Sequence, residues 1–141
     1  DAQFQVNLAE IKISKEPTAD SKAGFVIRLI DGEVADYFKN VLTSGNSNLY
    51  EAYGIVTGNF SDRDFRIEAG QWRALTGHED VGFGDFVSRS YSFALLQPII
   101  GKGVRATWSL DEDTSITGVL QNSFNGTEDV NKDVTIGFQY K

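Results

Sequence analysis

Gly103-Val104-Arg105-Ala106-Thr107-Trp108-Ser109-Leu110-Asp111 alternates apolar and polar residues without a break. Val104, Ala106, Trp108 and Leu110 fall on one side of an extended chain. Arg105, Thr107 and Ser109 fall on the other, because successive side chains of a strand point to opposite faces. A helix would scatter the same residues around its circumference. The period recurs elsewhere. Val134, Ile136, Phe138 and Tyr140 oppose Thr135, Gly137 and Gln139. Phe65, Ile67 and Ala69 oppose Arg66 and Glu68, and Phe25, Ile27 and Leu29 oppose Arg28. Four such segments in one chain predict an all-β fold built from strands with two unlike faces.

Working outward from these segments, strands are expected at about 3–14, 23–31, 49–60, 64–74, 103–111, 114–124 and 134–141. Phe4, Val6 and Leu8 alternate, then the phase slips to Ile11 and Ile13, which predicts a bulge near Ala9 and Glu10. Leu49 to Phe60 has apolar residues on both faces, and Asn122 interrupts Ile116 to Phe124. The connections carry turn chemistry: Thr18 to Lys22 after Pro17, Ser61-Asp62-Arg63, Asp111-Glu112-Asp113, and Asn125-Gly126 opening a turn that runs to Asp133. Glu33 to Lys39 is expected to make one helical turn. The stretch Gly77 to Lys102 is far longer than a hairpin loop, and such connections are usually functional. The expected fold is an antiparallel up-and-down meander of about seven to eight strands, with residues 1–141 forming a single domain.

Composition narrows the function. Forty per cent of the 141 residues are hydrophobic and 23% charged, so the chain buries enough to fold. The net charge of −7 excludes a nucleic-acid partner, which needs a basic surface. It also argues against docking on anionic lipid through a polybasic patch. There is no Cys, hence no disulfide framework and no thiolate metal site. There is no Met either, so a chain starting at Asp1 is expected to be processed or trimmed, any export signal having been removed. The longest uncharged run, Ser90 to Gly101, is shorter than a membrane-spanning helix, so a membrane location requires a barrel.

Few residues have the spacing of a chemical site. His78-Glu79-Asp80 with Asp85 lacks the second His or Cys that zinc demands, and reads as a solvated loop. Asp129-Val130-Asn131-Lys132-Asp133 resembles the start of a calcium loop but lacks its Gly and terminal Glu, and reads as a polar turn. The sequons at Asn59 and Asn125 are short enough to arise by chance. With one His and no Cys, a nucleophile–base pair would have to be built around His78, and Glu79 and Asp80 face apart on a strand. The chain is therefore read as a non-enzyme, with no cofactor and no metal.

Alternation alone fits a soluble sandwich as well as a membrane barrel. Three features favour the barrel. The polar faces carry spaced charges, Arg28, Arg66, Glu68 and Arg105, which a water-filled lumen accepts without desolvation. Aromatics near strand ends, Phe4, Phe60, Phe65, Trp72, Phe124 and Tyr140, suit girdles at the membrane interfaces. Tight turns alternate with longer links.

A resemblance adds to this. Phe65-Arg66-Ile67-Glu68-Ala69-Gly70-Gln71-Trp72, followed by Leu75-Thr76-Gly77-His78-Glu79, resembles the β-barrel porin-2 family, the OmpL-like porins, where a strand ending ".aGqf" runs into "tp.G.e". Ser88-Arg89-Ser90-Tyr91-Ser92-Phe93, then Gln97-Pro98 and Gly103 to Trp108, is similar to that family's "SrSyaF…eP…tGvratY". Gly24 to Leu29 with Gly32 resembles its "Gfrvdl..G", and the resemblance runs from about Phe4 to Tyr140. Gly118 to Gly126 matches the family's "GvvNGwd" loosely.

The resemblance implies an outer-membrane-type β-barrel, or part of one, that serves as a passive channel for ions or small hydrophilic solutes in a Gram-negative-type bacterium. Its partners would be the lipid bilayer and the solutes, with a homo-oligomer as a further expectation. Arg28, Arg66, Glu68 and Arg105 would line the pore. The apolar Gly77–Lys102 connection would pack on protein and narrow the pore, with Arg89 and Tyr91 at the constriction. Family members are longer and close larger barrels, and seven strands do not make an even-numbered barrel. A fragment, a barrel shared between chains, or a reused domain are the alternatives. A soluble all-β domain that binds a ligand such as a glycan, or self-assembles, is the competing function.

Overall fold

The computed structural model describes residues 7–33, 35–36, 48–73, 100–122 and 132–140. They form seven strands: β1 (Ala9–Lys15), β2 (Ala23–Asp31), β3 (Leu49–Phe60), β4 (Arg63–Arg73), β5 (Ile100–Ser109), β6 (Thr114–Asn122) and β7 (Lys132–Tyr140). They lie in one sheet in chain order, every neighbouring pair antiparallel. This is the up-and-down meander that the alternation predicts. Among the described residues, β1 and β7 each have a single strand neighbour.

The connections fall into two classes. Those at 16–22, 61–62 and 110–113 are short and share one end of the sheet, and those at 32–48, 74–99 and 123–131 are longer and share the other. Ser61 and Asp62 both have positive φ, 54° and 60°, as a two-residue type I′ hairpin requires. In the 110–113 turn the Asp113 N–H donates to Asp111 Oδ1 at 2.9 Å, which holds the Asp111 carboxyl below the usual range. Glu33, Ala35 and Asp36 are helical, with the Asp36 N–H bonded to Gly32 O at 3.0 Å; the rest of the expected helical turn lies outside the described residues.

Two expectations are corrected. β1 pairs with β2 without interruption from Ala9 to Lys15, so no bulge lies at Ala9–Glu10. The phase slip falls where the strand starts, since Asn7 and Leu8 are not in it. The register shift lies instead between Arg28 and Leu29, opposite Leu49 and Glu51. It explains why the sequence around Leu49 presents apolar groups on both faces. β5 begins at Ile100, ahead of the expected Gly103, because Arg73, Trp72 and Gln71 continue the ladder to Ile100, Gly101 and Lys102.

The register puts the predicted apolar stripes of β2, β4, β5 and β7 on one face. Among the described residues that face carries fifteen exposed large hydrophobic side chains, from Ile11 on β1 to Ile136 on β7. The other face carries Glu10, Arg28, Glu51, Arg66, Glu68 and Arg105, all less exposed. On this second face Gly70 and Gly103 stand directly opposite each other on β4 and β5. Gly70 has φ +138°, and a Cβ there would lie 2.2 Å from Ala52 O; at Gly103 it would lie 2.2 Å from Leu120 O. The pair lets β4 approach β3, and β5 approach β6, closer than side chains permit, the kind of glycine kink that gives a sheet its coil.

The outward-facing Gly118 has no atom within 4 Å of its Cβ position and no positive φ. Gly118→Ala is therefore expected to leave stability unchanged or raise it by about 0.4–1 kcal/mol, by restricting the unfolded chain. Gly70→Ala is expected to cost at least about 1–3 kcal/mol. Denaturant unfolding of the two variants checks the contrast.

Candidate functional site

The polar face of β1 to β5 holds two charge clusters. Their positions follow from register. Arg28 on β2 is opposite Lys12 on β1 and Glu51 on β3, and Glu68 on β4 is opposite Ile55 on β3 and Arg105 on β5. Opposite charges on adjacent strands of one face come within pairing distance without any loop.

The first cluster is Glu10, Arg28 and Glu51. Arg28 Nε lies 2.8 Å from Glu51 Oε2 and 3.7 Å from Glu10 Oε1. The closer approach is a charge contact and not an aligned hydrogen bond, since the Nε–H has no acceptor in line. The guanidinium sits 5.9 Å from the centre of the Tyr50 ring, within cation–π range. Glu51 Oε1 accepts the backbone N–H of Arg73 at 3.2 Å. Gln71 Nε2 donates to Leu49 O and Tyr50 O at 2.9 and 3.0 Å, satisfying carbonyls beside the register shift.

The second cluster centres on Glu68, which is 3% exposed. Its Oε1 accepts from Arg66 Nε at 2.9 Å and its Oε2 from Arg105 Nε. Arg66 Nη1 in turn reaches Glu16 Oε2 at 3.0 Å. The Arg105 guanidinium lies between two rings, 5.5 Å from the centre of Tyr53 and 5.3 Å from that of Trp72. Toward the short-turn end the polarity continues without charge, as the Thr107 and Thr117 hydroxyls pair at 2.9 Å across β5 and β6.

All four sequence-predicted wall residues, Arg28, Arg66, Glu68 and Arg105, therefore lie on one face. Three of them form one cluster and Arg28 belongs to the other. Each is engaged by opposite charge, so none is a lone fixed charge. Arg89 and Tyr91 lie outside the described residues, as do His78, Glu79, Asp80, Asp85, Phe4, Phe124 and residues 129–131. Phe60 and Trp108 do meet on the apolar face near the short turns, edge to face at 5.9 Å. Trp72 is not part of such a girdle. It shares the parity of Arg66 and Glu68, turns to the polar face and is 1% exposed, because Arg105 stacks on it.

Sequence reading missed Glu10, Glu16, Glu51, Tyr53 and the inward role of Trp72. Parity finds all of them but Glu16. Glu10 alternates with Ile11 and Ile13, Glu51 and Tyr53 alternate with Ala52, and extending the period through these strands puts them on the face that carries Arg28 and Arg105. Glu16 lies beyond the end of β1, and no periodicity reports its contact.

The arrangement offers a polar wall whose charges are mutually paired. Among the described residues no group of His, Asp and Glu is placed to hold a metal. A family model described as "Putative beta-barrel porin-2, OmpL-like" matches residues 1–141. No curated protein and no solved structure matches the chain.

Breaking a buried ion pair from one side leaves the partner charge unpaired, at a cost of about 3–5 kcal/mol. Glu68→Gln should approach that cost, because it strands Arg105 between two rings and leaves Arg66 to Glu16 alone. Arg66→Gln should cost less, about 0–1 kcal/mol, because Arg66 is a third exposed. Unfolding both variants in urea from the same detergent or vesicle tests this order.

Proposed function

This chain belongs to the OmpL-like β-barrel porin-2 family, and on that premise we propose that its sheet is the wall of a passive outer-membrane pore for ions or small hydrophilic solutes. The observation that carries the reading is the inversion of the two faces. In a water-soluble sheet the apolar face is buried and the charged face wet. Here the fifteen large apolar groups are 36% to 79% exposed, while Glu68 and Glu51 are 3% and 6% exposed.

Fully burying one large apolar side chain stabilises by about 1.5–3 kcal/mol. Leaving fifteen of them half-exposed to water would forgo on the order of 10 kcal/mol, comparable with the whole stability of a domain. Lipid covers such a face at no cost in specificity, and strands hydrogen-bonded to both neighbours leave no backbone polar group facing it. The charged face then borders a lumen. Short turns at one end and long links at the other match the periplasmic and outer sides of such barrels.

Parity bears on how the wall closes. Six reversals separate β1 from β7, so the two edge strands run in the same direction. Copies of the sheet set around a pore axis would meet edge to edge in parallel. An all-antiparallel wall takes an odd number of further strands between β7 and β1, which supports the described sheet being part of a larger barrel.

The described wall carries Lys12, Arg28, Arg66 and Arg105 against Glu10, Glu16, Glu51, Asp64 and Glu68. Signs this closely balanced, and mutually paired, give weak ion selectivity. The reading includes no catalytic step and no cofactor, and it locates the protein in the outer membrane of a Gram-negative-type bacterium.

Two measurements test it. Reconstituted in planar bilayers, the protein should give ohmic conductance with a small reversal potential under a salt gradient. Ala106→Arg, on the lipid face, should cost about 2–4 kcal/mol of stability in vesicles if it sits near the bilayer midplane. Thr107→Arg, one residue away on the wet face, should cost far less. A monodisperse protein in buffer without detergent, with equal costs at the two sites, would favour the soluble β-domain instead.

A further inference from the structure

The connection between β1 and β2 does not extend past the end of the sheet. It leans inward over the polar face. Gly24 on β2 shares the parity of Val26 and Arg28, and a Cβ there would lie 2.3 Å from Lys15 O and 2.8 Å from Pro17 Cδ. The backbone entering the connection therefore lies directly against the inner face of β2, in space that only glycine leaves open. From there Glu16 reaches past β2 and β3 to Arg66 on β4, Oε2 to Nη1 at 3.0 Å.

The connection has its own internal order. The Thr18 N–H donates to Ser21 O at 2.8 Å, and the Ser21 N–H donates back to Thr18 Oγ1 at 3.1 Å. Lys15 Nζ donates to Ser21 Oγ at 3.1 Å. Its far end closes on β3, where the Thr57 N–H donates to Lys22 O at 2.9 Å. Between this strap and the sheet runs an open groove lined by Thr18, Thr57, Asp64, Arg66, Thr107 and Ser109. The groove is rich in hydroxyls and carries two cations: Lys22 at the far end of the strap, and Arg66, which is held by Glu16 on the strap and Glu68 on the wall.

We propose that residues 16–22 form a strap that narrows the short-turn end of the polar face, pinned shut by the Glu16–Arg66 ion pair and seated by Gly24. The proposal rests on the pore reading, because a strap limits flux only if the polar face borders a conduit. The Glu16 side chain is 58% exposed, so the pin is weak. An ion pair of that kind shifts an equilibrium by roughly 1.5- to 5-fold, enough to let the strap lift and reseat. The hydroxyl-lined groove beneath it suits small neutral hydroxylated solutes, which it meets with hydrogen bonds and a compensated charge. Releasing Glu16 leaves Arg66 with one carboxylate in place of two and adds one net positive charge at the narrow point.

The chain has no cysteine, so a Glu16→Cys/Arg66→Cys pair gives two unique thiols for a short bifunctional maleimide. The linker is needed because two long side chains meet here, and a direct disulfide requires closer backbones. The wild type, Glu16→Gln and the double variant, before and after cross-linking, are compared in planar bilayers. Glu16→Gln and the uncross-linked pair should conduct more than the wild type, by up to about 1.5- to 5-fold. Glu16→Gln should also move the reversal potential toward the anion. Cross-linking should return conductance to the wild-type level or below. Equal conductance in all four conducting forms, or thiols that fail to cross-link in the folded protein, would overturn the strap while leaving the pore reading standing. A folded wild type that passes no ions would overturn the pore reading and, with it, any role of the strap in flux.

Discussion

A carboxylate with 3% of its surface exposed stays charged only if cations are held against it, and the Glu68 cluster meets that condition with parts drawn from three strands and a connection. Arg66 comes from β4 itself, Arg105 from β5, the Tyr53 ring from β3 and Glu16 from beyond the end of β1. None of these groups is near another in sequence apart from Arg66 and Glu68. Each depends on a register that a one-residue slip would invert, sending Glu68 to the apolar face and Ile67 into the charges. The cluster thus ties the register of β3, β4 and β5 to the identity of the two faces.

Close approach makes the cluster possible. Gly70 and Gly103 face each other one step from Glu68 and Arg105 in the ladder, two residues along each strand on the same face. Side chains there would collide with the backbone of β3 and β6. With both absent, Arg105 lies back between Tyr53 and Trp72 and reaches Glu68. The two glycines are also the ones that stand in the stretches resembling the porin family, Ala69-Gly70-Gln71 and Gly103-Val104-Arg105. A physical reason for those residues is therefore visible in the sheet: they let strands of a coiled wall pass where its charges are concentrated.

Paired charges and a bordering apolar layer lead to a particular kind of wall. The arginines are not bare selectivity charges. Most of their field is spent on neighbouring carboxylates, and what is left is a polar surface of nearly balanced sign. In the pore proposed above, the shape of the conduit would matter more than its net charge, which gives weight to the proposed strap seated on Gly24 at the short-turn end. For a narrow point the sequence by itself points to the long, aromatic-rich connection before β5, where apolar residues accumulate outside strands, and those residues lie outside the described ones. The strap is short, polar and made of ordinary turn residues, and its inward lean is set by a missing side chain on the neighbouring strand.

The sequence by itself determined the all-β class, the approximate strands and the separation of two faces, because a period of two is a local property of extended backbone. It was enough to place Arg28, Arg66, Glu68 and Arg105 on one face, since Arg105 and Glu68 each sit between apolar neighbours of opposite parity. Only the tertiary structure decided which charges meet. Pairing depends on strand register, and register is set by hairpin length, by the shift at Arg28–Leu29 and by the glycine pair, none of which alternation encodes. Trp72 stands at a strand end in sequence, where an interface aromatic is expected, yet its parity with Arg66 and Glu68 already turns it to the polar face, and only the fold brings Arg105 to its ring. Glu16 shows the limit most clearly. Its partner lies fifty residues away and two strands across, and a contact of that range is a property of the folded surface alone.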